Sequence, residues 1–208
     1  MARYTGPVCR LCRREQMKLF LKGEKCYTHC VLDKNPAPPG PPPKRRKKMT
    51  EYAMRLREKQ KLRRIFGLTE GPFKRIYFKA AKTKENTGEQ FLRLLEVRLD
   101  NTVRRLGFAA SLKTARQWVS HGHVQVNGRT VYIPSFVLKP GDRVRLSPKL
   151  KDNMAVKVGL DGVSRRGTRP SFLEFEEATL TGKLLRWPDR SEISAPVQEH
   201  LIIEHYSK

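Results

Sequence analysis

An α+β fold is what this sequence predicts, with helices in one domain and a small antiparallel sheet packed on helices in another. Three observations carry that reading. Apolar residues recur at spacings of three and four through 51–66 and 89–106, the pattern of amphipathic helices. Asn127-Gly128, a two-residue hairpin signal, sits between the alternating pairs Val124/Val126 and Val131/Ile133. All 4 cysteines fall between residues 9 and 30, which sets the N-terminal segment apart.

The cysteines form two close pairs, Cys9-x2-Cys12 and Cys26-x3-Cys30, separated by a loop. A cytosolic chain keeps its thiols reduced, which disfavours disulfides. The Cys-x-x-Cys pair is not set at a strand-to-helix turn, which disfavours a redox role. Two short-range pairs can each clip one side of a tetrahedral ion. The segment therefore reads as metal-bound through Cys9, Cys12, Cys26 and Cys30, holding one structural Zn2+ or an iron–sulfur cluster. Arg10, Arg13, Arg14 and Lys25 stand near to favour the thiolates, and His29 is a substitute ligand. A stretch this short and polar buries little, so the metal would supply its folding energy, about 10 kcal/mol or more.

Residues 34–48, KNPAPPGPPPKRRKK, open as an extended Pro-rich stretch and close on the cations Lys44, Arg45, Arg46, Lys47 and Lys48. A helix is expected over 51–66, ended by Gly67. Tyr52, Leu56, Leu62, Ile65 and Phe66 form its apolar stripe. Arg55, Arg57, Lys59, Lys61, Arg63 and Arg64 cover the remainder, a face suited to a nucleic-acid backbone. A second helix is expected from about Pro72 to Lys82, with Pro72 at its first position. Through 89–106, Leu92, Leu95, Leu99, Val103 and Leu106 form a core-facing stripe, with Asp100 and Asn101 as a candidate break.

Ser111 is a good N-cap for a short helix that buries Leu112, Ala115 and Val119 and closes at Gly122. The Asn127-Gly128 hairpin follows, then strands at Phe136–Leu138 and Arg143–Leu146. The helix start, Lys113, Arg116, His121, His123 and Arg129 are expected to lie close together, a cluster suited to phosphate. Residues 148–170 read as mostly loop. Further strands are expected at Phe172–Phe175 and around Leu184–Trp187, and a final helix from Pro196 with Val197, Leu201 and Ile202 on one face.

The 208 residues carry a net charge of +24. Residues 1–66 hold 19 Lys/Arg against 5 Asp/Glu, 67–169 hold 21 against 8, and 170–208 hold 4 against 7. Self-repulsion on that scale calls for a polyanionic partner, nucleic acid first and anionic membrane second. No apolar run approaches the ~18 residues a bilayer span needs, and MARYTGPVCRL lacks an apolar signal core. A cytosolic protein is expected.

Residues 98–147, RLDNTVRRLGFAASLKTARQWVSHGHVQVNGRTVYIPSFVLKPGDRVRLS, resemble an RNA-binding module named after the fourth protein of the small ribosomal subunit. That module also occurs in pseudouridine synthases, tyrosyl-tRNA synthetases and a heat-shock RNA-binding protein. The flanks MARYTGPVCRLCRREQMKLFLKG, YAMRLREKQKLRRIFGL and GKLLRWPDRSEISAPVQEHLIIEHYS resemble the bacterial ribosomal family itself, so the resemblance spans nearly the whole chain and is weakest at 148–170. It implies a helical domain into which the S4-type module is inserted, the C-terminal helix returning to the helical domain. The segments expected are 1–43 (metal-binding, with the Pro-rich linker), 44–97 (helical, rRNA-binding), 98–193 (S4-type module) and 194–208 (C-terminal helix).

The resemblance further implies a non-enzymatic primary binder of 16S rRNA, in its 5′ domain, that nucleates assembly of the 30S body. It implies a cytoplasmic ribosomal location at the mRNA entrance beside small-subunit proteins three and five, an influence with protein five on translational accuracy, and no membrane contact. The expected RNA-contacting set is Arg3, Arg10, Arg13, Arg14, Lys22, the Lys44–Lys48 run, the six cations of 51–66, Arg104, Arg105, Ser111, Lys113, Arg116, His121, His123, Asn127 and Arg129. One departure stands out: Pro38-Pro39-Gly40 is followed by three prolines where the family commonly has Gln-His-Gly.

Two other readings fit some of the same residues. An RNA-modifying enzyme or a heat-shock-type protein that borrows the module would need a catalytic domain. No G-x-x-x-x-G-K-[ST], G-x-S-x-G or H-E-x-x-H is present, and the acids are scattered. A metal-stabilised DNA-binding regulator would need a helix aimed at base edges, whereas these faces carry phosphate-type cations.

Overall fold

A computed structural model describes residues 3–41 and 48–207. In chain order the helices are α1 (Cys9–Glu15), α2 (Lys25–Thr28), α3 (Val31–Lys34), α4 (Glu51–Ile65), α5 (Glu70–Ala81), α6 (Thr87–Glu96), α7 (Leu99–Arg105), α8 (Leu112–Ser120), α9 (Met154–Arg166) and α10 (Glu199–Ser207). The strands are β1 (Val124–Val126), β2 (Arg129–Thr130), β3 (Arg143–Leu146), β4 (Leu173–Glu176) and β5 (Thr181–Leu184). Two compact units divide the chain: residues up to Phe91 with those from Ala195 onward, and Leu92–Ser194.

In the first unit Thr50 caps α4 by accepting from the Ala53 amide at 3.2 Å, and Gly67 at φ +55° lets the chain turn away at its end. The buried stripe of α4 is Leu62 with Phe66 behind it; Tyr52, expected there, is 64% exposed. Tyr52 instead lies beside His205 of α10, with ring centroids 5.8 Å apart. α10 runs along α4, held by Arg55–Glu204 at 2.7 Å and by the Gln198 amide on Glu58 at 3.1 Å. α5 begins at Glu70 rather than Pro72, and Pro72 sits within its first turn, where a missing amide costs no helical bond. Phe73, Tyr77, Phe91 and Tyr206 share an aromatic core, Phe73 meeting Phe91 edge-on at 5.0 Å and Tyr77 lying 4.7 Å from Tyr206.

The second unit is built on a five-stranded antiparallel sheet in the order β2-β1-β3-β5-β4. Asn127 and Gly128 take φ of +51° and +78°, the left-handed pair a tight hairpin needs. Val124, Val126, Val144, Leu146, Leu173 and Leu184 alternate onto one face and are buried with Leu99 and Val103 of α7, Leu106 at its C-terminal cap, and Ala115 and Val119 of α8. Ser111 caps α8 by accepting from the Thr114 amide at 3.2 Å.

Four expectations need correction. The 89–106 run is two helices, and the break falls at Val97-Arg98 rather than Asp100-Asn101, which are buried in α7. Arg98 is extended there and bridges Val137. For that reason 136–138 is no strand: it forms a short bridge to 97–99, with the Leu99 amide on the Phe136 carbonyl at 2.8 Å. The last strand is Thr181–Leu184, ending where a strand was expected to begin. Residues 154–166 are helix, not loop. Asn153 caps α9, accepting from the Ala155 amide at 2.8 Å, and Gly167 closes it at φ +56°. Gly159, which weakens the helical pattern, is required by packing: a Cβ there would come within 2.5 Å of the Gly107 carbonyl oxygen.

Candidate nucleic-acid interface

The basic helix is less bare than its sequence. Each of its nominated cations holds a carboxylate. Arg55 pairs with Glu51 at 3.0 Å and with Glu204, while Lys61 pairs with Glu58 at 2.5 Å. Arg57, at 3.2 Å, and Arg64 converge on Glu15 of α1, whose side chain is 2% exposed. Lys59, at 2.8 Å, and Arg63, at 3.1 Å, converge on Glu70 of α5. Lys59 is itself buried, over the Tyr206 ring, so it works inside the unit and offers no surface to a phosphate. Each guanidinium has five N–H donors, more than any of the four arginines spends on carboxylates, so the guanidiniums are fixed in place with N–H groups to spare.

Glu70 is partly buried, which pushes its carboxyl pKa up, but hydrogen bonds from Lys59 and Tyr206 and the charges of Lys59 and Arg63 outweigh that and hold it below the ordinary value. Burial and then the same carboxylate push the Tyr206 hydroxyl far up, so it stays a donor.

In the N-terminal segment Arg3, Arg10, Arg14 and Lys22 are exposed, and Arg13 donates to the Ala37 carbonyl at 2.8 Å. Lys48 is exposed; Lys44, Arg45, Arg46 and Lys47 lie outside the described residues. No disulfide joins any of the four cysteines. Burial pushes the Cys12 and Cys26 thiols up, and the other cysteines push the same way; the nearby arginines and lysines do not reverse this, contrary to the sequence expectation. Amides of Leu19 and Lys22 point at Cys12 and Cys26, the latter at 3.3 Å. Among the described residues no group of three or more His, Cys, Asp or Glu side chains stands in metal-holding geometry.

The cluster expected around α8 separates into parts. Lys113 is exposed in its first turn and His121 caps its far end, roughly 12 Å of helix away. Arg116 turns inward to Asp100 of α7 at 2.7 Å, and Asp100 also takes Arg98 in a two-pronged pair at 3.1 and 3.0 Å. Arg104 donates to Asn101, and Arg105 to Glu96 at 2.5 Å and Ser194 at 2.9 Å. Asn127 is occupied by the hairpin: its amide donates to Asp142 at 2.8 Å and its oxygen accepts from the Arg143 amide at 2.9 Å. His121 and His123 do come together, ring centroids 6.2 Å apart, and Arg129 is exposed on β2.

A basic row was missed. Arg143 and Arg145 alternate outward on β3 while Val144 and Leu146 turn inward. Arg143 stands opposite Lys183 on β5, and Arg145 between Gln125 and Thr181. The solvent face of the sheet thus carries three cations in register. The signal was the alternation of Arg143-Val144-Arg145-Leu146 itself, read for its buried half only.

Residues 3–96 match the family described as Ribosomal protein S4/S9 N-terminal domain, and residues 97–144 match the S4 domain. The fold and these matches define a protein that joins a helical domain to an S4 domain. Over its full length the chain is 52% identical to the small ribosomal subunit protein uS4 of Natranaerobius thermophilus, 50% to that of Heliobacterium modesticaldum and 49% to that of Thermus thermophilus, with 100% of both chains covered each time. The chain belongs to the bacterial uS4 family of small ribosomal subunit proteins. Among the described residues no helix is long and apolar enough to cross a membrane.

Proposed function

We propose that this chain is a structural, non-catalytic constituent of the small ribosomal subunit, bound to 16S rRNA in the cytoplasm. The observation that carries the reading is the full-length correspondence with proteins of that name. A protein that merely borrowed the module would share little beyond 97–144. The exposed cations of both units, many set in place by carboxylates, supply the charge a phosphate backbone calls for.

The finer reading places the chain on the 5′ domain of the rRNA early in 30S assembly, at the mRNA entrance beside proteins three and five, with an effect on accuracy through protein five. Exposed Lys48 and the cations before it are the residues assigned to mRNA. The four cysteines are assigned one structural Zn2+, an iron–sulfur cluster being the alternative. Four soft thiol donors in two close pairs within one short segment, with the Lys22 amide on the Cys26 sulfur at 3.3 Å, have the chemistry such an ion takes. Bound there, it would supply folding energy to a segment without a core of its own.

Filter binding to 16S rRNA and to tRNA across a salt series tests the reading. About eight phosphate contacts give a slope of log K against log salt near −6 to −7, with preference for the rRNA. A slope flatter than about −2, or equal binding to tRNA, contradicts it.

A further inference from the structure

Phe20 and Tyr27 are stacked on each other at the surface of the cysteine segment. Their ring centroids are 4.8 Å apart with planes 27° from parallel, yet the residues are 38% and 46% exposed. Leu19, next in the chain, is buried at 3%. The stacked pair thus turns a flat aromatic face to solvent on a small charged segment.

The backbone presents this pair. The Lys22 amide donates to the Cys26 sulfur at 3.3 Å, and the Leu19 amide points at Cys12 on the other side of Phe20. Phe20 lies between these anchor points at φ +50°, in the left-handed region that bulky side chains rarely adopt. Tyr27 directly follows Cys26 on α2. One ring thus comes from the loop pinned across both cysteine pairs and the other from the helix of the second pair, so the cysteine cluster sets their spacing. Lys22 and Lys25 are exposed within the same short stretch.

We propose that the Phe20–Tyr27 pair is a stacking platform for an unpaired RNA base, with Lys22 and Lys25 taking the neighbouring phosphates. A flat apolar face flanked by cations fits a nucleotide, which offers a π-face and an adjacent negative charge; an apolar protein segment would leave the two lysines unanswered. The inference rests on the RNA-binding function proposed above.

The test uses the full chain and 16S rRNA. Phe20→Leu and Tyr27→Leu keep the apolar volume and remove the aromatic face. Each should weaken binding about 5- to 150-fold, the range for one lost base stack, while leaving the salt slope unchanged. Lys22→Gln should instead flatten that slope. Ultraviolet cross-linking of the parent protein should attach a nucleotide to the peptide bearing Phe20 or Tyr27, which guards against variants that merely misfold. Unchanged affinity in both variants, or no nucleotide on either peptide while other peptides cross-link, overturns the platform. A parent protein that does not bind 16S rRNA overturns the functional reading, and this inference with it.

Discussion

Asp100 is where one atom group holds the most. It is 1% exposed, and its carboxylate takes two hydrogen bonds from Arg98, at 3.1 and 3.0 Å, and one from Arg116 at 2.7 Å. Arg98 is itself 3% exposed. Asp100→Asn keeps the shape and removes the charge that faces two guanidiniums, one of them, Arg98, fully enclosed. Removing one partner of a buried pair costs about 3–5 kcal/mol. The Asn oxygen still accepts one bond, so the lower end, about 3 kcal/mol, applies. Both tryptophans, Trp118 and Trp187, lie in Leu92–Ser194, so their fluorescence in urea follows that unit alone. With a denaturant slope of about 1–3 kcal/mol per molar, the midpoint should fall by roughly 1–3 M. Arg116→Met, which leaves the Arg98 pair whole, should cost less than half as much. A midpoint for Asp100→Asn within about 0.3 M of the parent would refute the reasoning.

Other outcomes follow from single contacts. Glu15→Gln unties α1 from Arg57 and Arg64 of α4, so amide exchange across Cys9–Glu15 should quicken while α7 and α8 stay protected. Gly182→Val places a Cβ within 2.4 Å of the Leu106 methyls and should destabilise the sheet unit by about 1–3 kcal/mol in the same fluorescence assay; no loss would mean that Leu106 does not press on Gly182 that closely. The Arg186 guanidinium, with the Ser171 hydroxyl and the Asp189 amide, holds the Glu192 carboxyl at about 2, below its ordinary 4.5. A depressed pKa gives stability that is complete above about pH 4.5 and lost as pH falls through about 2, so Glu192→Gln should destabilise at pH 7, with the difference shrinking towards pH 2 and gone below it. Cys9→Ser with Cys26→Ser, or zinc removal by a chelator, should quicken exchange in residues 3–35 and leave 98–147 unchanged; an unaltered N-terminal segment would count against a metal there.

Local chemistry explains what was legible in the sequence. Asn127-Gly128 showed the hairpin because few other pairs accept two positive φ angles in a row, and Ser111 showed the start of α8 because its hydroxyl replaces a missing helical partner. The helix at 154–166 was hidden because Gly159 and Gly162 read as loop residues. Their purpose, close approach to the Gly107 carbonyl in the case of Gly159, exists only in the folded unit. The acids were harder still. Glu15, Glu70 and Asp100 looked scattered along the chain, yet each gathers two basic side chains from another helix or turn. Long-range pairing of that kind leaves no periodic trace, which is also why Lys59 and Arg116 looked like surface cations.

The central claim is that this chain is built into the small ribosomal subunit. A sucrose gradient of native lysate, washed at high salt and probed for the chain, tests it most directly. The account predicts that the protein stays with the small subunit through the wash. A chain that runs free, or with material of tRNA size, would contradict it.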